Sequence, residues 1–169
     1  MNETNRKTTS VIIPVYNGAD YLAAALESVR QQTFPTEIVI VDDGSTDATA
    51  TVAKTYSDVV YVYQRNAGVA SALNHGVHIA TGHFVSFLSA DDVWRHDKLA
   101  NQNAAFGDTS SAKLIFGHMQ HFISPEIDPE TASRLKCPAE PMPAYSAGTL
   151  LTTRETMQSV GLFDESLKV

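Results

Sequence analysis

One cysteine, Cys137, stands in a chain of 169 residues. No intrachain disulfide can form, and a reducing, cytoplasmic compartment is the expected setting. Long apolar runs are also missing. The longest, such as Val11 to Val15 and Phe84 to Leu88, fall far short of the ~20 residues a membrane-spanning helix needs, so any membrane role is expected at the inner face. Met1 to Thr9 are polar and lack the apolar stretch of a secretory signal. Residues 1–9 are therefore expected to be a frayed leader, and 10–169 a single domain. Positive charge is scarce, with 12 Lys and Arg against 19 Asp and Glu and a formal net charge of −7. Without a basic stripe the chain lacks the electrostatic footprint of a nucleic-acid binder. Four of the six histidines scatter without ligand spacing, and His118 and His121, three apart in a strand-like run, would face opposite sides. The Gly-x-Gly-x-x-Gly turn of a nicotinamide dehydrogenase does not follow the first apolar run, where Pro14 to Gly18 stand instead. A phosphoacceptor receiver domain would need a lysine near Phe116 to Gln120, and none is there.

What is present is a globular composition, 43% hydrophobic and 18% charged, in a chain long enough to bury roughly 70% of its unfolded surface. Val11 to Val15 read as a buried strand, followed by the turn residues Tyr16, Asn17 and Gly18 and by Tyr21, Leu22, Ala25, Leu26 and Val29 at helical spacing up to Pro35. The unit recurs. Glu37 to Val41 predict a second strand, Ser45 to Asp47 caps for a helix through Ala48 to Tyr56, and Val59 to Tyr63 a third strand. A helix from Val69 to Ala80 and a strand from Phe84 to Leu88 come next. Strands alternating with helices predict a mostly parallel sheet covered on both faces. A helix from Asp97 to Phe106, a fifth strand from Leu114 to Phe122, a proline-crowded surface loop from Pro125 to Pro143, and a strand and helix over Leu150 to Val160 complete the expectation.

Ligands of open α/β sheets bind outside the carboxyl ends of the strands. Three polar clusters follow apolar runs there: Tyr16-Asn17-Gly18, Asp42-Asp43-Gly44-Ser45 and Ser89-Ala90-Asp91-Asp92. Adjacent carboxylates cannot point the same way, and like charges raise one another's pKa unless a cation or donors compensate. Either pair alone reads as turn or cap chemistry. Two pairs on one sheet edge read as a site.

The order and spacing of these segments resemble the family 2 glycosyltransferases of the GT-A fold. The resemblance covers Ser10 to Glu165. It is carried by Val11 to Gly18, Glu37 to Asp47, Asn66-Ala67-Gly68 with Asn74-His75-Gly76, Ala80 to Gly82, Phe87 to Asp92, and Gly161 to Glu165. It implies a GT-A, Rossmann-like three-layer sandwich and transfer of a sugar from a nucleoside-diphosphate donor, UDP- or dTDP-linked, to a glycan or lipid-linked acceptor.

Residue by residue, the resemblance lays Tyr16 against the nucleobase and has Asp43 accept from the base's ring N–H. A carboxylate only accepts, so it favours uracil, thymine or guanine over adenine or cytosine. Pro14, Asn17, Asp42, Asn66, Gly68, Ser89 and Ala90 complete the implied nucleotide site. Asp91, with Asp92 as second candidate, would hold Mn²⁺ or Mg²⁺ on the donor's diphosphate. Two positions depart from the family pattern: Ser89 replaces an aspartate and Leu73 an arginine. The family's general base follows the Gly161 to Glu165 segment and is expected beyond Val169, with Asp164 and Glu165 structural. The chain thus reads as cut short at its C-terminal end, with little transfer activity of its own, an exposed apolar patch favouring homo-oligomers, or a mobile stretch from Pro125 to Tyr145. The rival reading is a nucleotide-binding module without catalysis.

Overall fold

A computed structural model describes residues 8–108, 113–138 and 140–167. The expected leader falls outside these residues over 1–7, and its last residue is reassigned: Thr9 is fully buried at the start of the first strand, its N–H donating to Pro35 O. The elements in chain order are β1 (Thr9–Val15), α1 (Leu22–Arg30), β2 (Thr36–Asp42), α2 (Thr49–Ala53), β3 (Val59–Tyr63), α3 (Val69–Ile79) and β4 (Phe84–Phe87). There follow α4 (Lys98–Asp108), β5 (Leu114–Phe116), β6 (His118–Met119), α5 (Pro129–Arg134), β7 (Met142–Pro143), a 3₁₀ turn (Ala147–Thr149), β8 (Leu150–Thr153) and α6 (Arg154–Ser159).

Six strands form one sheet in the order β3-β2-β1-β4-β8-β5. The first four are mutually parallel, and β8 runs antiparallel to both β4 and β5. The period of two along each strand sorts the core into two layers. Val11, Ile13, Ile38 and Ile40 meet Leu22, Leu26 and Val29 of α1, Ala53 of α2 and Leu99 of α4 on one face. Ile12, Val39, Val41, Val85 and Phe87 meet Ala72, Leu73 and Val77 of α3 and Met157 of α6 on the other. The result is the expected mostly parallel three-layer α/β sandwich. Leu73, expected as a departure from the implied family's pattern, is a core residue. No helix among the described residues is long and apolar enough to cross a membrane.

Chain order along the sheet marks where a ligand crevice is expected. From β1 the chain steps outward through β2 to β3, and α3 then carries it back across the sheet to β4 on the other side of β1. The reversal places a topological switch point between β1 and β4, the position where open α/β sheets bind ligands.

Three expectations change. The single strand predicted from Leu114 to Phe122 is two, because Gly117 donates to Thr149 O and accepts from Ala144 N, handing the chain from β8 to β7. The proline-crowded loop contains a short helix, α5, whose first turn is capped by Asp128 accepting from Thr131 N, with Pro129 at the first helical position. Helix α1 stops at Arg30, five residues before Pro35, and α2 begins at Thr49, its first amide capped by Asp47.

The close approach of α3 to β1 rests on Gly76. A Cβ there would lie 2.3 Å from Ile12 Cγ2, and Ile12 is fully buried on the central strand with a stiff β-branched rotamer. Gly76→Ala is therefore expected to destabilise the fold by about 1 to 3 kcal/mol through overpacking. Equilibrium urea denaturation measures this, and an unchanged midpoint would show that helix and strand separate at no cost.

Candidate functional site

The loop after β1 is stitched to the loop after β2. Asn17 sits at φ 51°, a left-handed backbone that asparagine tolerates, and from there Oδ1 accepts from Thr46 N at 2.8 Å and Asp47 N at 3.3 Å. In return Asn17 N donates to Ser45 Oγ, Gly18 N to Thr49 Oγ1 and Ala19 N to Asp47 Oδ2, at 2.9, 3.0 and 3.1 Å. Asp47 Oδ1 also accepts from the Thr49 hydroxyl at 2.5 Å and Thr49 N at 2.9 Å, and these donors, the Thr49 hydroxyl first, with Ala19 N hold Asp47 below the usual carboxylate range. Gly18 also brings in the loop after β4, since a Cβ on it would stand 3.4 Å from Ala90 Cβ. All three polar clusters predicted for one edge thus meet at the switch point. Tyr16, the first residue after β1, is 55% exposed.

Pro14 fits a central strand because the pairing of β1 with β4 has already ended. The last β4 pair is Ile12 with Phe87, while pairing with β2 continues through Val15. Parallel strands bond to alternate sides at successive residues. Val15 O accepts from Asp43 N on the β2 side and Ile12 O from Leu88 N on the β4 side, so Pro14's missing N–H belongs to the β4 side, where no partner strand remains.

The adjacent acids Asp42 and Asp43 are both buried, 1% and 5% exposed, and each has its own donors. Asp42 accepts from Ser45 N at 2.8 Å and from Tyr61 Oη at 2.7 Å. Burial, then the bond and charge of Asp42, raise the Tyr61 pKa far above the ordinary phenol value. Asp43 Oδ1 accepts from Gln64 Nε2 at 2.8 Å and Ala67 N at 2.9 Å, and Oδ2 from Gly68 N at 2.9 Å. Gly68, at φ 95°, is the N-cap of α3, so the carboxylate sits at the positive end of that helix. Asn66 is exposed, and its backbone N would lie 2.8 Å from a Cβ on Gly44.

Beyond β4, Ser89, Asp91 and Asp92 are exposed, and the side chains of Ser89 and Asp91 make no hydrogen bond among the described residues. Partial desolvation, then the neighbouring Asp91 charge, raise the Asp92 pKa, with His121 opposing. No group of three or more His, Cys, Asp or Glu that could hold a metal exists among the described residues. Any cation here would take part of its coordination from its ligand. The C-terminal acids are otherwise occupied. Asn74, 6% exposed, donates to Phe163 O and Glu165 Oε1 and accepts from Phe163 N, while Asp164 accepts from Ser166.

Two features went unread in the sequence. Gln64 follows β3 as the three predicted clusters follow β1, β2 and β4, so the same strand-end rule pointed to it. The other is a cavity of about 750 Å³ beside Asp92, lined by Trp94, Lys98, Gln102, Phe116 and His118 among others. The chain's one tryptophan four residues before a lysine was its signal. Lys98 Nζ lies 3.8 Å from the Trp94 ring centroid and donates to Gln102 Oε1 at 2.8 Å and Ser86 Oγ at 3.3 Å. Gln102 passes on to Ile115 O and Thr149 O, and Ser86 to Leu150 O.

The family model described as "Glycosyl transferase family 2" matches residues 10–154. An uncharacterized glycosyltransferase of Rickettsia typhi is 35% identical over 94% of this chain and 54% of its own length. The S. aureus protein TarS, solved over residues 1–349 in complex with UDP, superposes with a TM-score of 0.74 at 25% identity, covering 95% of this chain and 51% of that one. The mannosyltransferase PcManGT from Pyrobaculum calidifontis, solved in complex with GDP-Man and Mn²⁺, gives a TM-score of 0.69 at 24% identity over 97% and 49%. The shared architecture is the GT-A fold. The chain spans about half the length of the curated relatives it matches.

Burial lowers the Lys98 pKa to about 7, whereas an unfolded lysine titrates near 10.4. Between those values the unfolded chain binds more protons than the folded one, so this residue makes stability rise with pH from about 7 to about 10. Lys98→Met should lose that rise. Urea midpoints of both proteins at pH 7, 8.5 and 10 check it, and parallel pH profiles would show that the ammonium is not desolvated.

Proposed function

The chain belongs to glycosyl transferase family 2, and we propose from that premise that it holds a UDP- or dTDP-linked sugar at the switch-point crevice for metal-assisted, inverting transfer to a glycan or lipid-linked acceptor. The observation that carries this reading is Asp91. It is an exposed carboxylate with no hydrogen bond among the described residues, on the loop that meets Gly18 at Ala90. A free carboxylate at the switch point of an acidic chain is suited to a cation.

Each residue has a distinct part in this reading. Tyr16 offers an exposed ring for the nucleobase. Asp43 has three protein donors on roughly four acceptor positions, which leaves one, on Oδ2, for the base's ring N–H. Asn17 and Asp42 shape the pocket through their loop bonds rather than by touching the ligand, and Pro14, Asn66, Gly68 and Ala90 form its backbone wall. The Ser89 hydroxyl faces the ribose or the phosphates. Mn²⁺ or Mg²⁺ would be held by Asp91, with Asp92 as a second ligand, and the chemistry fits: these ions take one or two carboxylates and complete their shell with phosphate and water oxygens. When bound, the ion supplies Lewis-acid neutralisation of the charge that grows on the departing diphosphate. The acceptor hydroxyl oxygen forms the new bond at the anomeric carbon as the bond to the diphosphate breaks, and its proton passes to a general base. No base is assigned within this chain, since Asp164 and Glu165 are committed to Ser166 and Asn74.

A second reading, a nucleotide-binding module without transfer, is favoured by Ser89, a hydroxyl where a third carboxylate would strengthen cation binding. Release of labelled sugar from the donor in the presence of Mn²⁺ separates the two, because a binder shows affinity without turnover.

Two outcomes are expected by calorimetry. Asp91→Asn should erase the difference in UDP affinity between Mn²⁺ and EDTA that the wild-type chain shows; equal wild-type affinity in both conditions would remove the metal from the reading. Asp43→Ala should weaken UDP binding several-fold and, by orphaning the donors of Gln64, Ala67 and Gly68, lower stability by about 1 to 3 kcal/mol. A stable variant with unchanged affinity would take Asp43 out of the nucleobase site.

A further inference from the structure

Behind Asp43 stands a second pair of side chains. Gln64 leaves the end of β3 with its N–H on Asp42 O at 2.9 Å. Its side chain lies between two groups, with Nε2 2.8 Å from Asp43 Oδ1 and Oε1 2.8 Å from His75 Nδ1. Elementary hydrogen-bond chemistry orders this chain completely. An ionised carboxylate only accepts, so the Gln64 amide nitrogen must face Asp43. The amide oxygen then necessarily faces His75, and because that oxygen only accepts, Nδ1 of His75 must carry a proton. Direction runs one way, from His75 to Gln64 to Asp43.

The placement along α3 gives the arrangement its effect. Gly68, the N-cap, donates its N–H to Asp43 Oδ2, and His75, seven residues on, lies about two turns further along the same helix face. Helix α3 therefore grips one carboxylate twice, directly at Oδ2 and through Gln64 at Oδ1. Oδ1 takes two donors, Gln64 and Ala67, and is filled. Oδ2 takes one and retains the open position. A Gln64 amide released from His75 would be free to rotate, Oδ1 would lose a fixed donor, and the carboxylate's rotation would no longer be determined.

We propose that His75 is a positioning residue for nucleobase selection, acting through Gln64 to hold Asp43 with Oδ2 presented to a ring N–H. The proposal rests on the assignment of Asp43 to the nucleobase, and it goes beyond that assignment by naming what sets the carboxylate's orientation. A uracil ring donates at the contested position, whereas the matching cytosine nitrogen accepts, so the quantity at stake is the preference for UDP over CDP.

The test has two parts. In the free wild-type chain, nitrogen-15 NMR of the histidine rings should find the neutral His75 ring protonated on Nδ1; a ring protonated only on Nε2 overturns the proposal whatever nucleotides do. Calorimetry with UDP and CDP then compares variants. His75→Leu removes the donor and should reduce the UDP preference by roughly two- to tenfold, the factor one neutral hydrogen bond represents. His75→Asn places an amide nitrogen where Nδ1 stood and should restore it. Equal losses in both variants, or no loss in His75→Leu, overturn the relay. Asp43→Ala separates the levels. If it abolishes the UDP preference while His75→Leu preserves it, the relay fails and the nucleobase assignment stands. If Asp43→Ala leaves the preference untouched, the nucleobase assignment fails and the inference with it.

Discussion

Two neighbouring carboxylates, Asp42 and Asp43, are buried at the end of one strand, and the arrangement of the crevice follows from satisfying both. Burial of an unpaired charge is prohibitive, so each acid requires donors of its own from opposite directions. Asp42 takes them from Tyr61 and the Ser45 turn, and Asp43 from Gln64 and the start of α3. Those demands fix the loop after β2 and the connection from β3 to α3. The first of these loops then holds the loop after β1 through the Asn17 carboxamide. Tyr16 and Asp91 are left exposed at the surface of that edge. Preorganised polar groups do not have to be ordered when a ligand arrives.

The parallel half of the fold was legible because its physics is local. Strands buried on both faces read as uninterrupted apolar runs, and the helices between them carry a simple apolar stripe. Glu37 to Val41 and Val59 to Tyr63 were placed within a residue of the observed strands. The antiparallel half was harder. Splitting the run at Gly117 depends on Thr149 and Ala144, some thirty residues later, and no window around Gly117 contains that information. The candidate site divides the same way. That Asp43 lies at a strand end follows from its neighbours in sequence. That its oxygens are taken by Gln64, Ala67 and Gly68, between 21 and 25 residues away, follows only from the packing of α3 over β2.

Lys98 shows how the two halves are joined. Strand β8 enters the sheet against the direction of its neighbour β4, and the seam is crossed by a polar network as well as by ladder bonds. Ser86 on β4 bonds Leu150 O, Lys98 on α4 bonds Ser86 and Gln102, and Gln102 reaches Thr149 and Ile115. A desolvated amine is a costly component for such a seam. Its indole neighbour, 3.8 Å from Nζ, offsets part of that cost. The cavity beside Asp92 opens against this same network, so the wall of that cavity and the junction of the sheet are one structure.

Pro14 carries a consequence for the life of the crevice. Sheets tend to lengthen wherever facing strands offer free amides and carbonyls, and β1 and β4 lie side by side up to Ile12 and Phe87. Were residue 14 able to donate, the chain after β4 could zip one rung further along β1, and the loops bearing Asn17 and Asp91 would be drawn together into a closed seam. The pyrrolidine ring denies that rung permanently, at every temperature and in every state of ligation. The ladder between two adjacent parallel strands is thereby ended by a covalent fact of the backbone rather than by a balance of contacts.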